Sequence, residues 1–194
     1  MTPDLARDLR AAGLPVSGLW EPVNVKAQYE AAIPLLIDWL RDVEQRVPWP
    51  GQPKVRESLV RALSVPAARP GAAPVLIEEF RRASDPSQTG LGWVAGNALS
   101  VVADDSVFEK IAALAQDSGY GTARQMIVLG RSTNPRAVPL LVGLLADGDV
   151  TTHAVMALGR LAPHGVRPAV ERLLDHPQPL VRREGTKALA RLSA

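Results

Sequence analysis

Between Pro139 and Leu192 the chain reads PLLVGLL (139–145), ADGD (146–149) and VTTHAVMALGRL (150–161). A short link later it reads PAVERLL (168–174), a second turn, and VRREGTKALARL (181–192). The same order of short helix, turn and longer helix has been written twice. Self-similarity over about thirty residues is the mark of one supersecondary unit stacked on copies of itself. Stacking lets each unit bury a face that it could not bury alone, and it lays out an extended surface for a partner.

The unit extends towards the N-terminus when each copy is anchored on a leucine of its second helix. The anchors are Leu63, Leu99, Leu129, Leu158 and Leu189, spaced by 36, 30, 29 and 31 residues. Prolines at 34, 74, 139 and 168 mark the first helices, with Phe108 in the third unit. Proline suits an opening turn, where its missing N–H has no partner to lose. Eight residues before the anchors stand Val55, Leu91, Gly121, Val150 and Val181. Four before stand Leu59, Ala95, Gln125, Ala154 and Gly185; one before stand Ala62, Ala98, Val128, Ala157 and Ala188. These offsets share one face of a 3.6-residue helix, so they form a core stripe. Small residues on that stripe let neighbouring helices come close.

The pattern predicts helices near 27–46, 54–65, 72–83, 89–103, 105–117, 121–131, 136–146, 150–161, 167–175 and 178–192. The segment VPWPGQP (47–53), with three prolines and a glycine, breaks the first pair. Asp104, Asp105 and Ser106 read as a helix stop and restart, because an Asp or Ser side chain accepts from free N–H groups at a helix start. Residues 1–26 fit no repeat and read as an atypical N-terminal cap over the array at 27–194, with Leu5, Leu9, Leu14, Leu19 and Trp20 supplying cover.

The pattern AVPLLxxLL, acidic turn, VRxxxxxALGxL resembles HEAT repeats, in particular the short HEAT-like repeats of phycobilisome lyases. The resemblance covers about residues 27–194, strongest at 136–194 and weakest where Gly121 and Gln125 occupy core positions. It implies an all-α fold, a right-handed α-solenoid of about five helix pairs, of the armadillo type. First helices would line its convex side and second helices its concave side. A repeat fold of this kind names no activity by itself.

Composition narrows the function classes. With 22 basic and 20 acidic side chains the net charge is +2, which does not announce a nucleic-acid binder. There is no cysteine, so disulfides and thiolate chemistry are excluded. The start MTPDLARDLR alternates charge with apolar residues and does not read as a signal peptide. No apolar stretch reaches the roughly 18 residues of a membrane span. The expectation is a bacterial-type cytoplasmic protein with no membrane contact and no cofactor.

HEAT-like proteins include a metal hydroxylase with paired His-Glu motifs. Here His153, His164 and His176 are not followed by Glu, and no second His stands four residues on, so no metal site is expected. His164 and His176 read as helix-end and turn residues, able to cap free carbonyls. The HEAT-like alkylpurine DNA glycosylases pair a tryptophan with an aspartate four residues on. Trp93 and Asn97 share that spacing and one helical face. Asparagine carries no charge with which to steady a developing cation. No phosphate loop is present, and Gly90, Gly92 and Gly96 read as packing glycines inside a helix.

The expected function is that of a protein–protein scaffold or adaptor rather than an enzyme. Six and two residues before the anchors stand Glu57/Arg61, Trp93/Asn97, Ala123/Ile127, Thr152/Met156 and Arg183/Lys187. Charge at both ends and Trp93, Ile127 and Met156 between them have the layout of an apolar groove floor with a polar rim. Arg124 and His153, five before their anchors, would flank it. The expected ligand of this concave face is a peptide segment or helix of a partner protein. The competing reading packs the same side chains between neighbouring second helices. A weaker expectation is a basic C-terminal patch, Arg182, Arg183 and Lys187, for nucleic acid or an acidic peptide. The alternatives in function are a nucleic-acid-acting relative of the glycosylases, and an accessory subunit or lyase-like chaperone of a cofactor-bearing enzyme.

Overall fold

Proline and small residues set the helix boundaries and the packing of this chain. A computed structural model describes residues 3–13, 30–82, 90–127 and 130–192. The described residues are all-helical and contain no strand. They divide into two compact units, Met1–Ala103 and Asp104–Ala194, where the sequence predicts one array.

In the first unit the helices are α1 (Pro3–Ala11), α2 (Ile33–Arg41), α3 (Val43–Arg46), α4 (Gln52–Ala62), α5 (Ala73–Arg82) and α6 (Leu91–Val102). Leu5 and Leu9 of α1 are buried, and Trp39 Nε1 of α2 donates to Asp8 Oδ2 at 3.1 Å. Leu14, Leu19 and Trp20 lie outside the described residues. The helix expected over 27–46 is interrupted at Asp42, whose carboxylate accepts from Arg46 Nη2 at 2.7 Å. Helix α4 starts inside the expected breaker. Gln52 and Pro53 form its first turn, where proline loses no hydrogen bond.

The second unit holds α7 (Phe108–Gln116), α8 (Ala137–Gly143), α9 (Thr151–Leu161), α10 (Arg167–Glu171) and α11 (Pro179–Leu189). Asp104 stops one helix and starts the next, its carboxylate accepting from Ser106 N at 2.9 Å. Both α8 and α10 tighten into a 3-10 turn, Leu144–Ala146 and Arg172–Asp175, before the chain reverses. The repeat is thus visible in local backbone geometry as well as in sequence.

Like helices pack on like inside each unit. In the first, α2 pairs with α4 and α5 with α6, while α4 lies against α6 and α2 against α5. In the second, α8 pairs with α9 and α10 with α11, and α9 lies against α11. Most of the core stripe is inside as predicted: Val55, Leu59, Ala62, Leu63, Leu91, Ala95, Ala98, Leu99, Val150, Ala154, Ala157, Leu158, Val181 and Ala188 are buried, while Gly121, Gln125 and the last anchor, Leu189, are half-buried. Val128 and Leu129 lie outside the described residues.

A further small position follows each anchor, and in two copies it makes a close contact. It holds Ser64, Ser100, Gly130, Gly159 and Ala190. A Cβ on Gly159 would stand 2.9 Å from both Cα and Cβ of Ala188, and one on Gly130 would stand 3.2 Å from Ala157 Cβ. The glycine after one anchor therefore faces the alanine before the next.

The third unit departs where its core positions are weakest. Instead of an α-helix over 121–131, a 3-10 segment runs Ser118–Ile127 and is broken at Gly121 (φ 48°, ψ −137°). With glycine and glutamine where the stripe needs apolar side chains, the segment has little to drive a regular helix. Arg124 fills the space. It is fully buried, donating from Nε to Gly121 O at 2.9 Å and from Nη1 to Ala115 O at 3.2 Å. It also bonds Asp147 Oδ2 at 2.6 Å, Asp147 Oδ1 at 3.3 Å and Asp149 Oδ2 at 3.3 Å. All five guanidinium N–H groups are occupied, as burial of so polar a group demands. The acidic turn ADGD is the acceptor half of this strut.

The first unit has an ionic joint of its own. Arg56 of α4 donates to Glu79 of α5 at 2.6 Å and to Glu44 of α3 at 2.9 Å, and Arg82 reaches Glu44 at 2.9 Å. Arg56 and Glu79 are buried, and burial pushes the Glu79 carboxyl above its usual range against the pull of Arg56 and Arg82.

Two expected outcomes follow from this packing. Alanine usually stabilises a helix by about 1 kcal/mol over glycine. At Gly159 the overpacking cost of about 1–3 kcal/mol should outweigh that gain. Gly159→Ala is expected to lower unfolding stability in urea, and Ala188→Gly in the same chain to recover part of the loss.

Arg124→Met should cost about 3 kcal/mol, the low end for breaking a buried ion pair, since Asp147 and Asp149 are part-exposed and can rehydrate. Hydrogen bonding from Arg124 holds the Asp147 carboxyl below its ordinary 3.8. Its stabilisation is therefore complete above that value and lost as pH falls through the folded one. Acid unfolding curves below about pH 4 should be flatter in Arg124→Met than in wild type.

Candidate functional site

Helix α6 offers the most distinctive surface. Its 12 residues, LGWVAGNALSVV, contain no charged side chain. Gly90 caps its N-terminus at φ 92°, a left-handed conformation that glycine adopts without a Cβ penalty. It stands before the helix and not inside it. Leu91, Gly92, Ala95, Gly96, Ala98, Leu99 and Val102 face inward. Trp93 is left 45% exposed, and Asn97 and Ser100 are exposed on the same side. Ser100 Oγ donates to Asn97 O at 2.7 Å, which anchors the hydroxyl on the helix backbone.

The neighbouring second helix continues that side with charge. Glu57 and Arg61 of α4 hold the register positions of Trp93 and Asn97, and Arg61 Nη2 donates to Glu57 Oε1 at 2.8 Å. Trp93 thus lies in a face made of one aromatic, two small polar groups and a neutralised ion pair. Tryptophan so placed offers a large, stiff contact area. At position 97 the amide can donate and accept hydrogen bonds, but it supplies no negative charge for cation stabilisation.

In the Asp104–Ala194 unit the predicted residues separate. Met156 of α9 is 37% exposed and His153 is half-buried. Ile127 and Arg124 are buried, which corrects their assignment as floor and flank of a groove. Ile127 faces inward because the 3-10 twist of 118–127 turns it from the phase that an α-helix would give it. Arg124 is drawn in by its two carboxylates. For these two residues the competing reading, packing inside the array, describes the structure.

The basic C-terminal residues are largely occupied. Arg182 Nη1 donates to the carbonyls of His176 and Pro177 at 2.7 and 2.9 Å. Arg183 and Lys187 share Glu184, at 3.2 and 2.8 Å, and the Lys187 hydrogen bond leads in holding the Glu184 carboxyl below its usual range. Arg167 Nη2 caps the carbonyls of Leu189 and Leu192 at 3.2 and 3.1 Å. Much of the arginine in this region therefore serves helix ends. His176 Nδ1 accepts from Gln178 N at 3.2 Å, a turn role with the proton direction opposite to the expected carbonyl cap.

Sequence reading passed over Trp49, which is 66% exposed between Pro48 and Pro50. The signal was there, since an aromatic between two prolines in a turn has no helix face on which to hide. A shallow depression of about 450 Å³ lies against α8, lined by Gln116, Pro139, Leu140 and Leu144. Asp147 at its edge is already committed to Arg124. No cluster of three or more metal-ligating side chains occurs among the described residues. No helix there is long and apolar enough to cross a membrane. Comparison with family models, curated proteins and solved structures finds no match to this chain.

Proposed function

We propose that this protein works by binding another protein, as a small scaffold or adaptor, through the outward side of its second helices. The observation that carries the reading is the uncharged helix α6 with Trp93 45% exposed upon it. A solvated helix face is usually laced with charge, and replacing charge by tryptophan favours contact with an apolar or amphipathic segment. The regular core stripe and the like-on-like helix packing support a HEAT-like α-solenoid as the scaffold, with this face on its concave side. The relation to alkylpurine DNA glycosylases is the weaker reading, because Asn97 lacks the carboxylate and the C-terminal basic residues are tied to Glu184 and to carbonyls. No residue favours the role of accessory subunit or chaperone.

Trp93→Ala is expected to leave urea stability within about 1 kcal/mol of wild type, since the ring is half exposed. Partner binding should weaken about thirtyfold, the effect of a hot-spot side chain. Affinity capture with both chains, followed by titration of the captured protein at low and high salt, measures this. Equal capture by the two chains, or capture abolished by salt alone, overturns the proposal.

A further inference from the structure

In the Asp104–Ala194 unit an arginine stands two residues after every anchor leucine: Arg131, Arg160 and Arg191, spaced by 29 and 31 residues. The first unit has Val65 and Val101 at that place. All three arginines are exposed, and none of their side chains has an ion pair or hydrogen bond to another described residue. That sets them apart from Arg124, Arg136, Arg167, Arg182 and Arg183 of the same unit, each held by a carboxylate or a carbonyl.

Contacts, and not only the register, put the three along one edge. A Cβ on Gly130, the residue before Arg131, would stand 2.9 Å from Arg160 Nη1. The residue before Arg160 is Gly159, which packs on Ala188. Arg191 N donates to Ala188 O at 2.9 Å, so Arg191 closes the turn that begins at that contact. The acids nearby are already engaged. Helix α9 has none, and Glu184, the one acid of α11, holds Arg183 and Lys187. Asp105 accepts from Ser132 and Thr133, next to Arg131 in the chain, and Glu171 pairs with Arg167. A cation at a helix C-terminus offsets the dipole there. A row of uncommitted guanidinium groups does more, because each is shaped to receive a carboxylate through two parallel hydrogen bonds.

We propose that Arg131, Arg160 and Arg191 form a ladder that binds an acidic segment of a partner protein, extended in polyproline II form with a carboxylate at every third residue. Helix α9 packs on α11 on one side and on Ser118–Ile127 on the other. Packed helices lie about 8–10 Å apart. Three residues of polyproline II advance about 9 Å and return to the same side of the segment. One carboxylate therefore meets each rung. A nucleic-acid strand fits less well, since it carries charge at every nucleotide and gains affinity from many phosphate contacts along a dense basic track. The ladder is in the other unit from Trp93 and does not rest on the reading of that face.

Fluorescence anisotropy on the full chain at low salt tests this. The probe is a labelled proline-rich peptide with glutamate at every third position, compared with a peptide that has the same glutamates in one block. The spaced peptide should bind more tightly. Arg131→Gln, Arg160→Gln and Arg191→Gln should each weaken its binding about threefold, and the triple variant about thirtyfold, as for exposed ion pairs. Arg172→Gln removes a cation equally exposed and unpaired, but in the turn that precedes α11, and should leave binding unchanged. Trp93→Ala should also leave it unchanged. No binding of the spaced peptide, equal affinity for the blocked one, or an unchanged affinity in the triple variant overturns the proposal. So does a loss in Arg172→Gln or Trp93→Ala as large as in a rung variant, or tighter binding of a thymidine oligonucleotide of equal charge.

Discussion

Backbone-to-backbone contact between successive second helices is the constraint on which the C-terminal unit depends. Gly159 of α9 leaves room for Ala188 of α11, so no side chain separates the two helices at that crossing, and Gly130 stands close to Ala157 and to the Arg160 side chain. The apolar stripe can then close over a short distance, and Val150, Ala154, Leu158 and Val181 reach zero exposure with modest side chains. Large side chains at the crossings would hold the helices apart and leave voids that alanine and valine could not fill. The alternation of leucine with alanine and glycine is therefore a packing specification as well as a hydrophobic pattern.

Where that specification lapses, ionic struts take over. Gly121 and Gln125 cannot fill the third unit's core, and Arg124 enters with every N–H satisfied by carbonyls and by the next turn. In the first unit Arg56 and Glu79 join two helix pairs through a buried ion pair. Buried pairs of this kind add little net stability over apolar packing, but losing one partner is costly, so they fix geometry strongly. On α6 charge is missing altogether, and the helix that would be ordinary inside a core instead turns Trp93 to solvent.

The repeat period, most of the helical segments, the stop at Asp104 and most of the buried stripe were legible in the residues, because each depends on neighbours within a few turns. The tertiary environment decided the rest. Ile127 sits at an outward register position only if its helix is α-helical, and the 3-10 geometry of Ser118–Ile127 turns it inward. Arg124 looks like a surface charge until Asp147 and Asp149, more than twenty residues on, are placed beside it. The same holds for Arg56 and Glu79, 23 positions apart.

By itself, then, the sequence determined an all-helical chain of repeated helix pairs, since periodicity and helix-start chemistry are local properties. Only the tertiary structure decided which polar side chains are struts and which face solvent. That choice depends on desolvation and on charges brought together from distant turns. For Trp93 the sequence left exposure and packing both open, and the tertiary structure puts it outside: its helix has one packed side, and the tryptophan stands on the other.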